Sequence, residues 1–297
     1  MLLKSHFFNT FPFKLIIFST ILCLIISFST GEVFQNLLIF SGILTFGIIH
    51  GANDLLLLKK NLNNKKITMI SLFFPYIIMV SFFGIFFYFF PSFALAFFVL
   101  FSSYHFGEQQ WTMFNQKKEN KLWYFYFSYG LFLFSLLFWI NSNSVIDIIL
   151  DITGNYVNSV YLDYLLGLSI FGLLFFGILN YKFLLPQLVF QFLLLILLFL
   201  LFFNSNLIWS FGVYFVFWHS IPSIFEQSNF IFGSSDIKSF GSYLRHAFFY
   251  WILSLIGLFI LYYFLKNHQN LLLSIFFSFL AAITFPHTIV IFKIKGN

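Results

Sequence analysis

The chain has 297 residues, of which 61% are hydrophobic, 25% aromatic and only 8% charged. So apolar a composition excludes a water-soluble globular domain and marks an integral membrane protein. The formal charge of +6 reports orientation in a bilayer and not a nucleic-acid partner, because the 15 basic residues fall almost entirely between apolar runs.

Strict period-two alternation is absent, so a barrel is disfavoured. The remaining way to satisfy every backbone group inside hydrocarbon is an all-α, polytopic transmembrane helical bundle. Apolar runs near the length of about 20 residues that crosses the hydrocarbon predict spans over 15–30, 33–58, 67–90, 93–114, 122–140, 161–181, 187–203, 207–227, 246–265 and 271–292. That is about ten crossings, in a range of eight to ten if short breaks such as Gly31–Glu32 and Pro91–Ser92 lie within re-entrant helices. With cytoplasmic N- and C-termini, the inside segments hold Lys4, Lys14, Lys59, Lys60, Lys65, Lys66, Lys117, Lys118, Lys121, Lys182, Lys238, Arg245, Lys293 and Lys295, which is 14 of the 15 basic residues. Lys266 alone lies outside.

In chain order, the first apolar stretch follows Lys4 and Lys14 and has no small-x-small cleavage site, which predicts an uncleaved anchor. Cys23, the single cysteine, lies within it, so a disulfide within the chain is impossible and a thiolate metal site is disfavoured. Asn141 to Asp163 carries Asp147, Asp151 and Asp163 without Lys or Arg and reads as an outer loop with an interfacial helix near Val145–Ile152. Gln227 to Arg245, with Gly233, Ser234, Ser235 and Gly241, reads as a cytoplasmic turn. The 53 Phe suit lipid faces in place of Leu, or an aromatic cavity for a flat ligand. No repeat and no long linker is visible, so residues 1–297 are expected to form one integral membrane domain.

Four histidines interrupt long apolar runs: His50, His105, His219 and His287. An ionisable group inside a span is by default a functional-site hypothesis. All four fall on even-numbered spans, eight, nine, eight and five residues from the predicted cytoplasmic ends. At 1.5 Å per residue they share a layer roughly 8–14 Å from those ends. Neutral imidazoles in one layer make a metal site between helices, with Fe, Cu and Zn as fitting ions; the alternative for each is a hydrogen-bonded bundle residue. His6, His246 and His268 fall near a terminus, a span start and a loop and read as surface residues. Asp54 lies four residues after His50 and Glu108 three after His105. Each carboxylate is placed to orient a neighbouring imidazole or to join the ligands; the plainer alternative is an approach to the inner interface. Gly51 and Gly107, each after a ligand candidate, would also let helices pack closely.

The histidine pairs of di-iron desaturases and the stacked pairs of a two-haem bundle are both absent, so one mononuclear site bounded by four helices is the better geometric reading; zinc hydrolysis stays open, although a water-soluble substrate has little need of an embedded site. At His50-Gly51-Ala52-Asn53-Asp54, His105-Phe106-Gly107, Trp218-His219-Ser220 and Pro286-His287, the chain resembles the Brp/Blh family of bacterial membrane β-carotene 15,15′-dioxygenases. The resemblance runs from about Ile49 to Val290. It departs at Ile49, where many relatives have Pro, and at Ser223, where some have a further histidine proposed as an iron ligand. The family implies oxidative cleavage of the central double bond of β-carotene by O₂ into two retinal molecules at a non-haem Fe(II), in a bacterial inner membrane. The implied ligands are His50, His105, His219 and, with Ser223 a poor replacement for imidazole, His287; Asp54 and Glu108 are the substitutes for a fourth ligand or the groups behind the ligands. Tyr104, Trp111 and Trp218 are candidate polyene contacts, with ordinary packing as the alternative. The implied partners are membrane lipid, β-carotene, O₂ and a retinal-binding opsin as product user. Two other classes remain open: another isoprenoid-modifying enzyme such as a cyclase, and a metal or proton transporter whose histidines line a pathway.

Overall fold

The computed structural model describes residues 11–62, 66, 68–113, 122–234, 236–265 and 272–295. Among these residues the chain is helical and has no strand. The elements are α1 (Phe11–Ser29), α2 (Glu32–Gly42), α3 (Ile48–Ala52), α4 (Asp54–Leu62), α5 (Met69–Phe89), α6 (Pro91–Thr112), α7 (Trp123–Ile140), α8 (Ser142–Thr153), α9 (Val160–Leu179), α10 (Tyr181–Leu184), α11 (Leu188–Phe203), α12 (Leu207–Val213), α13 (Ile221–Phe232), α14 (Ile237–Leu265) and α15 (Leu272–Lys295). Two π-helical segments, Ile43–Gly47 and Tyr214–Ser220, join α2 to α3 and α12 to α13. Seven helices among the described residues, counting Glu32–Leu62 and Leu207–Phe232 as one run each, are long and apolar enough to cross a membrane; Phe13–Ser29 and Leu188–Phe203 are shorter apolar helices. His6 and His268, and Lys4, Lys65, Lys117, Lys118, Lys121 and Lys266 of the charge argument, lie outside the described residues.

Local chemistry sets the helix ends. The Thr68 hydroxyl accepts the Ser71 N–H and the Ser71 hydroxyl accepts the Thr68 N–H, a reciprocal cap that starts α5. Pro91 opens α6 at the position where a missing N–H costs nothing. The Asn206 side chain accepts the Trp209 N–H at 2.9 Å and starts α12. Gly233, at φ +82°, closes α13 with its N–H 2.8 Å from the Asn229 carbonyl. A helix, α8, covers the stretch near Val145–Ile152 where one was expected.

By its contacts the chain divides into two compact units, each assembled from three separate stretches. The first comprises Met1–Ile43, Ser103–Ile146 and Val157–Pro222. In it α7 packs against α9, α12 against α2, and α1 against α11 and the Tyr214–Ser220 segment. Glycine sets the approach of α6 to α7: a Cβ at Gly107 would fall on the Tyr126 carbonyl, and one at Gly130 on the Ser103 carbonyl. The second unit comprises Leu44–Ser102, Asp147–Tyr156 and Ser223–Asn297. In it α15 packs against α4 and α5, and α14 against α3 and α15. Its cores are built around Leu57, Ile224 and Tyr243 and around Ala94, Ala281 and Phe285.

Candidate metal centre

His50 and His287 belong to the second unit. Both are buried, and their rings meet edge to face with centroids 4.7 Å apart. Their ligand nitrogens lie within 4.8 Å of one another. Each ring is held through Nδ1. His287 Nδ1 is 2.8 Å from Asp54 Oδ1, and His50 Nδ1 is 2.5 Å from the Gly47 carbonyl oxygen, in the π-helical segment that precedes α3. With a neutral imidazole facing an acceptor, the proton sits on Nδ1 and the lone pair on Nε2, the arrangement of a histidine set to ligate a metal. A Cβ on Gly51 would lie 3.5 Å from His287 Nδ1, an ordinary contact, so this glycine permits close packing without being required for it.

A polar network supports the pair from behind. Asp54 is 1% exposed, and its Oδ2 accepts the Tyr76 hydroxyl at 2.7 Å. The Tyr243 hydroxyl lies 2.7 Å from Gln227 Oε1 and 3.0 Å from the His50 carbonyl oxygen, and Asn53 Nδ2 donates to the Tyr243 carbonyl at 2.9 Å. Ser223 joins this network as the acceptor of Gln227 Nε2, at 2.8 Å. Burial makes each of these bonds consequential, since a buried group without its partner costs its full desolvation.

His105 and His219 belong to the first unit and form the matching pair, both buried, with centroids 4.8 Å apart and planes at 78°. Phe106 and Phe215 flank the His219 ring at 4.1 and 5.7 Å. Gln109 Nε2 donates to the His219 carbonyl at 3.0 Å, tying α6 to the π-helical segment that carries the histidine. In that segment the Ser220 hydroxyl donates to the Phe215 carbonyl five residues back, at 2.8 Å. π-Helical turns inside α-helices occur often at functional sites.

The other expected residues divide by what they touch. Glu108 is buried, and the Tyr104 hydroxyl lies 3.4 Å from its Oε1, one turn back on α6. Trp111 packs edge-on against Phe125 and Tyr129 at 4.8 and 5.6 Å. Trp218 is buried beside Tyr214 and donates through Nε1 to Thr20 at 2.9 Å. Both tryptophans are thus part of the first unit's core. His246 is exposed, as its position at the start of a span implied. The sequence reading missed Tyr76 and Tyr243, whose type carries no signal and whose partners lie far along the chain. A ligand cavity was one reading of the many Phe, but its place in the second unit was not legible in the sequence.

That cavity has a volume of about 440 Å³, within the range of roughly 300–1,000 Å³ usual for small-molecule pockets. Polar groups from His50, Asp54, Tyr76 and His287 form one part of its lining. Apolar side chains of α5, α14 and α15, among them Phe73, Val80, Ile256, Ile260 and Phe279, form most of the rest. An apolar pocket beside two imidazoles suits a hydrocarbon ligand brought to a metal. No curated protein and no solved structure matches the chain. The family model for beta-carotene 15,15'-dioxygenase matches residues 41–295, a stretch that contains His50, His105, His219 and His287, and the chain belongs to that family.

Proposed function

We propose that this chain cleaves the central 15,15′ double bond of β-carotene with O₂ to give two retinal molecules, at a non-haem Fe(II) held by His50, His105, His219 and His287 within the bilayer. The observation that carries the reading is the family match over residues 41–295, which takes in both histidine pairs. The donor set fits the ion: four buried imidazoles, two of them held through Nδ1 so that Nε2 is the ligating atom. When bound, the iron supplies the redox chemistry with O₂, whose two oxygen atoms balance the two aldehydes formed. The chain supplies the rest. Asp54 holds the His287 ring, Glu108 stands one turn along α6 from His105, and the apolar cavity takes part of the polyene and keeps water from it. Tyr104 and the cavity side chains Phe73, Tyr250 and Phe279 are proposed as hydrocarbon contacts, whereas Trp111 and Trp218 pack within the first unit's core.

A substrate and an oxidant that both dissolve in hydrocarbon make an embedded site useful. The proposed setting is a bacterial inner membrane, crossed about ten times with both termini cytoplasmic and the chain acting as a single domain, and with a retinal-binding opsin as product user. Purified protein loaded anaerobically with Fe(II) and then given β-carotene and air should form two retinal molecules per carotene consumed. Apocarotenals of unequal length, or an intact carotene, would contradict the proposal.

The cavity offers a separate test. Gly257 lines it, and a Cβ there would meet nothing within 4 Å, so a ring at this position fills space meant for ligand. Gly257→Phe should lower kcat/KM for β-carotene by more than about tenfold, in line with the 10–200-fold that a misfit of one or more carbon groups produces in an apolar pocket. Its metal content should stay at the level of the unsubstituted chain. Unchanged kcat/KM would remove the cavity from the substrate path.

A further inference from the structure

Asp54, the first residue of α4, is a buried carboxylate whose two oxygens are divided between two helices. Oδ1 meets His287 of α15 at 2.8 Å and Oδ2 meets the hydroxyl of Tyr76 of α5 at 2.7 Å. A carboxylate with one bonded oxygen rotates about its Cβ–Cγ bond through a broad range of angles. With both oxygens engaged, its plane is fixed, and so is the direction from which the imidazole is held. Tyr76 has a second attachment, since it also lines the 440 Å³ cavity. Its ring therefore stands where the apolar pocket meets the chain of hydrogen bonds that ends on a histidine.

Resting on the reading of His287 as a metal ligand, we infer that Tyr76 is a positioning residue for that ligand, acting through Asp54. The tyrosine donates its proton to Oδ2, Asp54 accepts from His287 through Oδ1, and Nε2 of the imidazole is thereby aimed. The tyrosine needs no contact with the ion. In a low-dielectric interior such linked bonds strengthen one another, and outer groups of this kind govern metal affinity as well as rate.

Tyr76→Phe keeps the ring and removes only the hydroxyl. The test is titration of the detergent-solubilised full chain with Co(II) in place of iron, reading the dissociation constant and the ligand-field spectrum, with Tyr88→Phe on the exposed face of α5 as control. Tyr76→Phe should weaken Co(II) binding about tenfold, at the lower end of the 10–100-fold range for such groups, and shift the ligand-field bands, while Tyr88→Phe does neither. In an Asp54→Asn background the same change should add little further weakening, because both substitutions break one chain. Wild-type affinity in Tyr76→Phe, or an equal drop in both backgrounds, would overturn the inference. A wild-type chain that takes up no metal would overturn the metal reading beneath it, and the inference with it.

Discussion

His287→Ala should lose retinal formation and bind metal more than about 100-fold more weakly, beyond the 10–100-fold that loss of an outer partner produces. The assignment of the fourth ligand turns on this variant. Where some relatives carry a further histidine, this chain has Ser223, and the hydroxyl there accepts Gln227 Nε2 at 2.8 Å within the network around the His50 backbone. His287 instead stands edge to face with His50 and is held by a buried carboxylate. The variant leaves the buried Asp54 Oδ1 without its imidazole partner, a cost of about 1–3 kcal/mol, so its melting temperature should fall, and metal binding is compared at a temperature where the melting curve shows the apo chain folded. Ser223→Ala should keep its metal. The reverse pattern, with metal retained in His287→Ala and lost in Ser223→Ala, would move the fourth ligand back to residue 223.

Gly107→Ala should destabilise the fold and disturb the His105–His219 pair together. The added Cβ would fall on the Tyr126 carbonyl, and backbone cannot step aside as the end of a flexible side chain does. The helices must separate, which costs at least the ~1–3 kcal/mol typical of an overfilled core. Gly107 is two residues from His105 on α6, so the same displacement moves a ligand candidate. Melting temperature and metal content should therefore fall in this variant. Gly84→Ala, on α5 with nothing within 4 Å of the added carbon, should change neither. An unaltered melting temperature in Gly107→Ala would mean that α6 and α7 do not approach as closely as described.

The helices were legible wherever hydropathy and helix coincide. The runs expected over 122–140 and 187–203 are α7, Trp123–Ile140, and α11, Leu188–Phe203. Hydropathy marks hydrocarbon and not helix, however. For that reason α14 begins at Ile237, ahead of the expected 246, through the polar turns around Lys238 and Arg245. The four histidines stood out because an imidazole in an apolar run is costly unless used. What they touch was not legible. Asp54 was expected to orient a neighbouring imidazole or to join the ligands, and the imidazole it meets, His287, lies 233 residues along the chain, a partner that spacing cannot name. Tyr76 and Tyr243 look like any aromatic among 15 tyrosines. Neither π-helical segment has a sequence signature, although one precedes His50 and the other contains His219. The two units were hidden for a similar reason, since each gathers three separated stretches and no linker marks the border.

The most direct test is retinal formation in bacteria that already accumulate β-carotene, measured by chromatography after expression of this chain and of His105→Ala. Carotene should be lost with retinal as the product in the first strain, and neither change should occur in the second. Undiminished carotene despite confirmed membrane insertion, or retinal at equal levels in both strains, would contradict it.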